Sequence, residues 1–260
     1  MFNPEMEHMM QRESEWHNQQ QTIHEILSCG IQSFVDRTEN IDQVFKTNEH
    51  RLCCIDEGVQ NGDMRSAGSG ILSEGIGRVY LIKKLKAAEV REVTSHAGCG
   101  AVELFMKKNG ITDKSIDEVA IESSKQIAAE LGVPYVGHIT ELKRPNEFHN
   151  ARMIYIDGTG LFNPSKCKEL PPGFVVSKKY MTPNQALSEV KLATDIALGH
   201  HGFGDKFSQK EPLIIVYIGE TVDPIMEELK KTLDGRPIKI DFWKKDVNQE
   251  QDMNEKRMAA

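Results

Sequence analysis

From Arg51 onward the chain alternates short apolar runs with longer amphipathic stretches, and this alternation limits the folds open to it more than any other feature. The apolar runs at 52–55, 90–94, 135–139, 153–156, 213–218 and 238–242 have the length and β-branched content of strands. Helical patterns at about 74–88, 101–109, 115–131, 183–198 and 224–233 separate most of them. Asp113-Lys114-Ser115 supplies capping chemistry for the third helix, and Gly132-Val133-Pro134 closes it. Strand, helix, strand, helix with right-handed crossovers is the signature of an α/β fold, a mostly parallel β-sheet flanked by helices. No period between twenty and fifty residues repeats; 93–108 and 216–231 both read as strand, turn, helix, as any α/β unit does.

Before Arg51, residues 3–28 are polar and rich in helix formers, with Met6, Met9, Met10, Trp16, Ile23 and Leu27 as sparse apolar positions. They read as an exposed or partner-wrapping helix. Four segments follow: an N-terminal helical arm at 1–40, a core at 41–162, a C-terminal α/β extension at 163–245 packed on the same sheet, and a charged mobile tail at 246–260.

Hydrophobic residues make up 39% of the 260, enough for a sizeable core and too many for a disordered chain. The formal net charge of −7 argues against nucleic acid, which needs a clustered positive field. The longest apolar runs are too short to span a bilayer, and the first thirty residues lack the apolar stretch of an export signal, so no membrane partner is expected. Five scattered cysteines, an odd number, suit a reducing, cytoplasmic setting and chemistry through thiolate or metal.

In parallel α/β sheets reactive groups gather at the carboxyl ends of strands. Two cysteine-bearing segments fall there: Cys53-Cys54-Ile55-Asp56-Glu57-Gly58, and Ser95-His96-Ala97-Gly98-Cys99-Gly100-Ala101. His96 and Cys99 are close enough across a turn of small residues to converge, and a helix N-terminus favours the Cys99 thiolate. If the two strands are neighbours, Cys54 adds a second sulfur and Asp56 a carboxylate oxygen. Two thiolates, an imidazole and an oxygen position select Zn²⁺. Cys53 and Cys54 point to opposite faces of a strand, and Cys54 shares its face with Asp56. On spacing alone the set reads either as this metal site or as buried cysteines used for packing.

Cys54-x-Asp56, a glycine-rich turn and then His96-x-x-Cys99-Gly100 resembles the β-class carbonic anhydrases, whose zinc motif is Cys-x-Asp-x-Arg plus His-x-x-Cys. Gly62-Asp63-Met64-Arg65-Ser66-Ala67-Gly68 is similar to that family's Gly-Asp…Arg-Asn-Ala-Gly segment. Residues 73–85 fall where its next helix belongs, and Met153-Ile154-Tyr155-Ile156-Asp157-Gly158-Thr159-Gly160 is similar to its late strand ending in Thr-Gly. The match is close over 41–101, loose to Phe162 and absent from Asn163 on.

The resemblance implies a divergent member with zinc on Cys54, His96 and Cys99. It implies a small-molecule substrate, CO₂ or bicarbonate, with CO₂ hydrated reversibly to bicarbonate by zinc-bound hydroxide. It also implies a homodimer or higher homo-oligomer, wrapped by the N-terminal segment with the cleft near the interface.

The family's motif arginine is missing, with Gly58 in its place, so Asp56 is expected to lack an ion-pair partner. A freed carboxylate beside Zn²⁺ is drawn onto it, which makes Asp56 either the acceptor that orients the hydroxide or a fourth ligand that closes the site. Arg65 is the nearest candidate for the missing guanidinium. The closed site gives a second reading, a non-catalytic zinc protein; a third is a zinc hydrolase acting on another small electrophile such as a carbon–sulfur compound.

Elsewhere, His200 and His201 sit in a glycine-rich loop, and adjacent imidazoles seldom converge on one metal. Gly68-Ser69-Gly70 lacks the lysine of a P-loop. Cys167, between two lysines, reads as an exposed bystander, and His138 and His149 as ordinary polar residues.

Overall fold

A computed structural model of the protein describes residues 4–46 and 49–245. The chain opens with α1 (Pro4–Cys29) and α2 (Ile31–Val35). A first unit follows: β1 (Arg51–Cys53), β2 (Met64–Arg65), α3 (Gly75–Ala87), β3 (Glu92–His96), α4 (Gly100–Asn109), α5 (Ile116–Leu131) and β4 (Tyr135–Ile139). The second contains β5 (Met153–Asp157), β6 (Gly173–Val176), α6 (Pro183–Leu198), β7 (Leu213–Gly219), α7 (Ile225–Thr232) and β8 (Ile238–Lys244). The fold is α/β with two parallel four-stranded sheets, ordered β2-β1-β3-β4 and β6-β5-β7-β8.

The two orders are the same order. Each unit begins on an inner strand, steps to the edge, crosses back through a helix to the other side, and crosses again to the far edge. A repeat of half the chain is too long to appear as a solenoid-type period. The sheets adjoin where β6 passes the first unit: Val175 N–H donates to Ile55 O at 3.0 Å and Ser177 N–H to Arg65 O at 3.0 Å. Residues 163–245 supply β6, β7 and β8, which form the second sheet with β5 and do not join the β1–β4 sheet of the expected core. The tail expected at 246–260 lies outside the described residues.

Local chemistry explains the elements. Ser115 accepts from Glu118 N–H while the Glu118 carboxylate accepts from Ser115 N–H, a capping box that starts α5. Gly132 ends it in the left-handed conformation, at φ 78°. β5 and β7 are buried along their whole length, as continuous apolar strands covered on both faces must be. In α1, Trp16, Gln19, Ile23 and Ile26 form the buried stripe. Ile23 and Ile26 cover one face of the second sheet with Met153, Tyr155 and Val216, and α6 packs among the residues of the other face. The arm therefore folds on its own chain. Met6, Met9 and Met10 stay exposed.

β2 and β6 carry no strand signal: one is two residues long, the other four behind Pro171-Pro172. No helix among the described residues is long and apolar enough to cross a membrane.

Candidate metal centre

Three chain segments meet at the carboxyl end of the first sheet. Cys54 follows β1, His96 ends β3, and Cys99 caps α4. The β1–β3 pairing, with Leu52 opposite Val93, sets Cys54 beside His96. The sulfurs of Cys54 and Cys99 lie 3.7 Å apart, and with a ring nitrogen of His96 all three atoms fall within 4.8 Å of one another, in buried residues. These are the three residues the sequence singles out as sulfur and imidazole ligands. They form a possible metal-binding arrangement whose ion the geometry alone does not name.

The backbone around them is shaped for the sulfurs. Gly98, at φ 62°, turns the chain between His96 and Cys99. Gly68 donates its N–H to Cys54 Sγ at 3.2 Å. It does so from φ 56°, and a Cβ there would stand 2.6 Å from Ile71. His96 Nδ1 donates to Ala97 O at 2.9 Å, so the tautomer leaves Nε2 as the free nitrogen. That Nε2 is buried without a hydrogen-bond partner. A partnerless imidazole nitrogen beside two sulfurs fits a soft-to-borderline cation.

Electrostatics point the same way. Burial opposes a thiolate at Cys54, yet the hydrogen bond from Cys99 and the neighbouring His96 outweigh it and hold the thiol well below its ordinary range. Cys99 is driven up by that same bond to Cys54 and by burial. His96 rises to about 9 because Cys54 outweighs burial. Loading a cation on these groups would displace the protons they carry. Cys53, on the opposite face, is pushed up to about 11 by burial and takes no part.

Asp56 does not stand unpaired, as the glycine at position 58 led us to expect. Arg144 closes a two-pronged ion pair on it, Nε to Oδ1 at 3.0 Å and Nη2 to Oδ2 at 3.1 Å. Gly58 N–H adds a bond to Oδ1 at 2.8 Å. Burial works against this carboxylate, but His96, His149 and Arg144 hold it far below the usual range. Arg65 is not its partner either: the guanidinium is spent on the carbonyls of Cys54, Asp56 and Val59.

Arg144 left no trace in the sequence. It lies 88 residues from Asp56, in an irregular segment joining the units. The segment is pinned beside the site because Lys143 N–H donates to Gly58 O at 2.9 Å.

The remaining residues singled out in the sequence fall as follows. His149 packs against Glu57 at 2.9 Å and lies 3.8 Å from Asp56. His138 bonds Ser95 Oγ through Nδ1 at 2.7 Å, on the far side of β3. Cys167 is buried in the second core, not exposed. The His200 and His201 rings lie with centroids 3.8 Å apart, tilted by 43°, in the loop after α6, outside the cluster.

Glu189, on α6, was not a candidate. It is buried, accepts from Ser66 Oγ at 2.7 Å and Ala67 N–H at 2.8 Å, and burial lifts it to about 7.

Cys54, Asp56, His96, Cys99 and His149, with Phe174, Leu192 and Ile196 from the second unit, line a cavity of about 10 Å³. That is room for one ion or water. No family model, curated protein or solved structure matches the chain.

Proposed function

We propose that the protein is a zinc-dependent hydratase of the β-carbonic anhydrase type, acting on CO₂ and bicarbonate in a reducing, cytoplasmic setting. The observation that carries this reading is the Arg144–Asp56 ion pair beside the Cys54–His96–Cys99 cluster. Two thiolates and an imidazole give a zinc ion three ligands and leave the fourth position open. A zinc ion held there supplies the acidity that makes water a nucleophile near neutral pH.

The chain's own residues set the rest. Arg144 and Gly58 N–H occupy the Asp56 carboxylate, which weakens its pull towards the metal and favours an open site over the closed one. Held this way, Asp56 is placed to accept a hydrogen bond from the nucleophile. Phe174, Leu192 and Ile196 form the apolar wall of the small cavity beside the cluster.

The test is zinc content followed by stopped-flow CO₂ hydration at pH 7 and 8.5. We expect zinc in the wild type, its loss in Cys54→Ser and Cys99→Ser, and hydration in the wild type alone. Equal metal in all three overturns the ligand set. A metal-loaded, inactive wild type overturns the hydratase and leaves a binding protein.

A further inference from the structure

The two units share more than strand order. Arg51-x-x-x-Ile55-Asp56 enters the first and Arg152-x-x-x-Ile156-Asp157 the second. The outer strands are entered through Gly132-Val133-Pro134 and Gly235-Arg236-Pro237, both glycines at φ 78°. In each, the proline carbonyl accepts from the neighbouring strand: Val93 N–H to Pro134 O at 3.1 Å, Leu213 N–H to Pro237 O at 2.9 Å. Their strand ends differ. Neither 153–160 nor 213–222 contains a cysteine or histidine. Asp157 there ties its own turn, accepting from Thr159 N–H at 2.8 Å and Gly160 N–H at 3.0 Å.

What the second unit lacks in ligands it supplies as structure to the first. Phe174 on β6 and Leu192 and Ile196 on α6 wall the cavity. One turn back on α6, Glu189 reaches Ser66 Oγ and Ala67 N–H with its two oxygens. Gln185 Nε2 also donates to Glu189 Oε1 at 3.1 Å. The loop it grips continues directly to Gly68, whose N–H meets Cys54 Sγ.

We propose that residues 152–244 are a second copy of the first unit that has kept the scaffold and given up its ligands. In this arrangement the copy completes the Cys54–His96–Cys99 site through Glu189, a positioning residue that holds the 66–68 loop so that Gly68 N–H meets the Cys54 sulfur. This wall of the cavity comes from the same chain. The proposal rests on the metal reading above.

The experiment uses the full chain titrated with Co²⁺, followed by the thiolate-to-cobalt absorption band and by competition with a chelator. Wild type is expected to bind one Co²⁺ per chain. Glu189→Leu keeps the volume and removes both acceptors; we expect binding about tenfold weaker, a shifted band and unchanged circular dichroism. Glu189→Gln, which keeps an acceptor for Ala67 N–H, is expected to restore most of the affinity. Ser66→Ala loses one of the two bonds and is expected to fall between; it decides the matter if Glu189→Leu does not fold.

Wild-type affinity and band in both Glu189→Leu and Ser66→Ala overturn the positioning role while the metal reading stands. A second Co²⁺ per chain that persists in His149→Ala, which breaks the Asp56–Glu57–His149 group, overturns the loss of ligands from the second unit. No binding by wild type overturns the metal reading itself.

Discussion

Position 58 has no room for a side chain. A Cβ there would lie 2.7 Å from Arg144 Cγ, 2.9 Å from Leu142 Cβ and 3.0 Å from Asp56 Oδ1. An arginine at 58 would therefore collide with the stem of the arginine that already serves Asp56. We expect Gly58→Arg to destabilise the protein and lower hydration, measured by urea unfolding and stopped flow.

Arg144→Met removes the charge and keeps the stem. It strips a buried carboxylate of its guanidinium, leaving Gly58 N–H and His149 beside it, and urea unfolding should show a loss of about 3 kcal/mol. With its carboxylate held low, the pair's stabilisation is complete above the ordinary Asp value and drains away only as pH falls through the depressed one.

Glu189 runs the other way. Its pKa is raised to about 7 from 4.5, so its contribution is complete below 4.5 and lost as pH rises through about 7. Relative to Glu189→Gln, wild type should lose thermal stability between pH 5 and 8; a flat difference refutes the assignment.

Cys54, His96 and Cys99 were legible because two of them share a turn and the third sits at the end of a recognisable strand. Arg144 was not, because a guanidinium reaching over from an irregular segment leaves no spacing to read.

At the scale of elements, α1 shows how a polar helix is held. Ile23 and Ile26 are fully buried, and Arg152, also fully buried, lies with its guanidinium 3.5 Å from the Trp16 ring centre. Ile26→Ala should cost about 2–5 kcal/mol in chemical unfolding, whereas Met9→Ala, on the exposed face, should cost almost nothing. The sequence displayed α5 through its caps, and β5 and β7 through their apolar runs. It hid β2 and β6, because two to four residues beside prolines or a glycine-rich turn have no period to measure. β6 is nonetheless the strand along which the two units touch.

For the whole molecule, the ligands span β1, β3 and α4, so a bound cation cross-links elements that the unfolded chain cannot bring together. Chelation should lower the wild-type melting temperature and leave that of Cys99→Ser unchanged, as differential scanning fluorimetry would show. The repeated half was missed because its echoes are a few residues each, set in otherwise unlike sequence.

The connector between the halves is also the arm that restrains Asp56. Any hinge motion of one sheet against the other must tug on residues 140–151, and so on that carboxylate. A protease nick behind Arg144 would test whether the tether acts as a reporter, since it would loosen the acid while sparing the sulfurs.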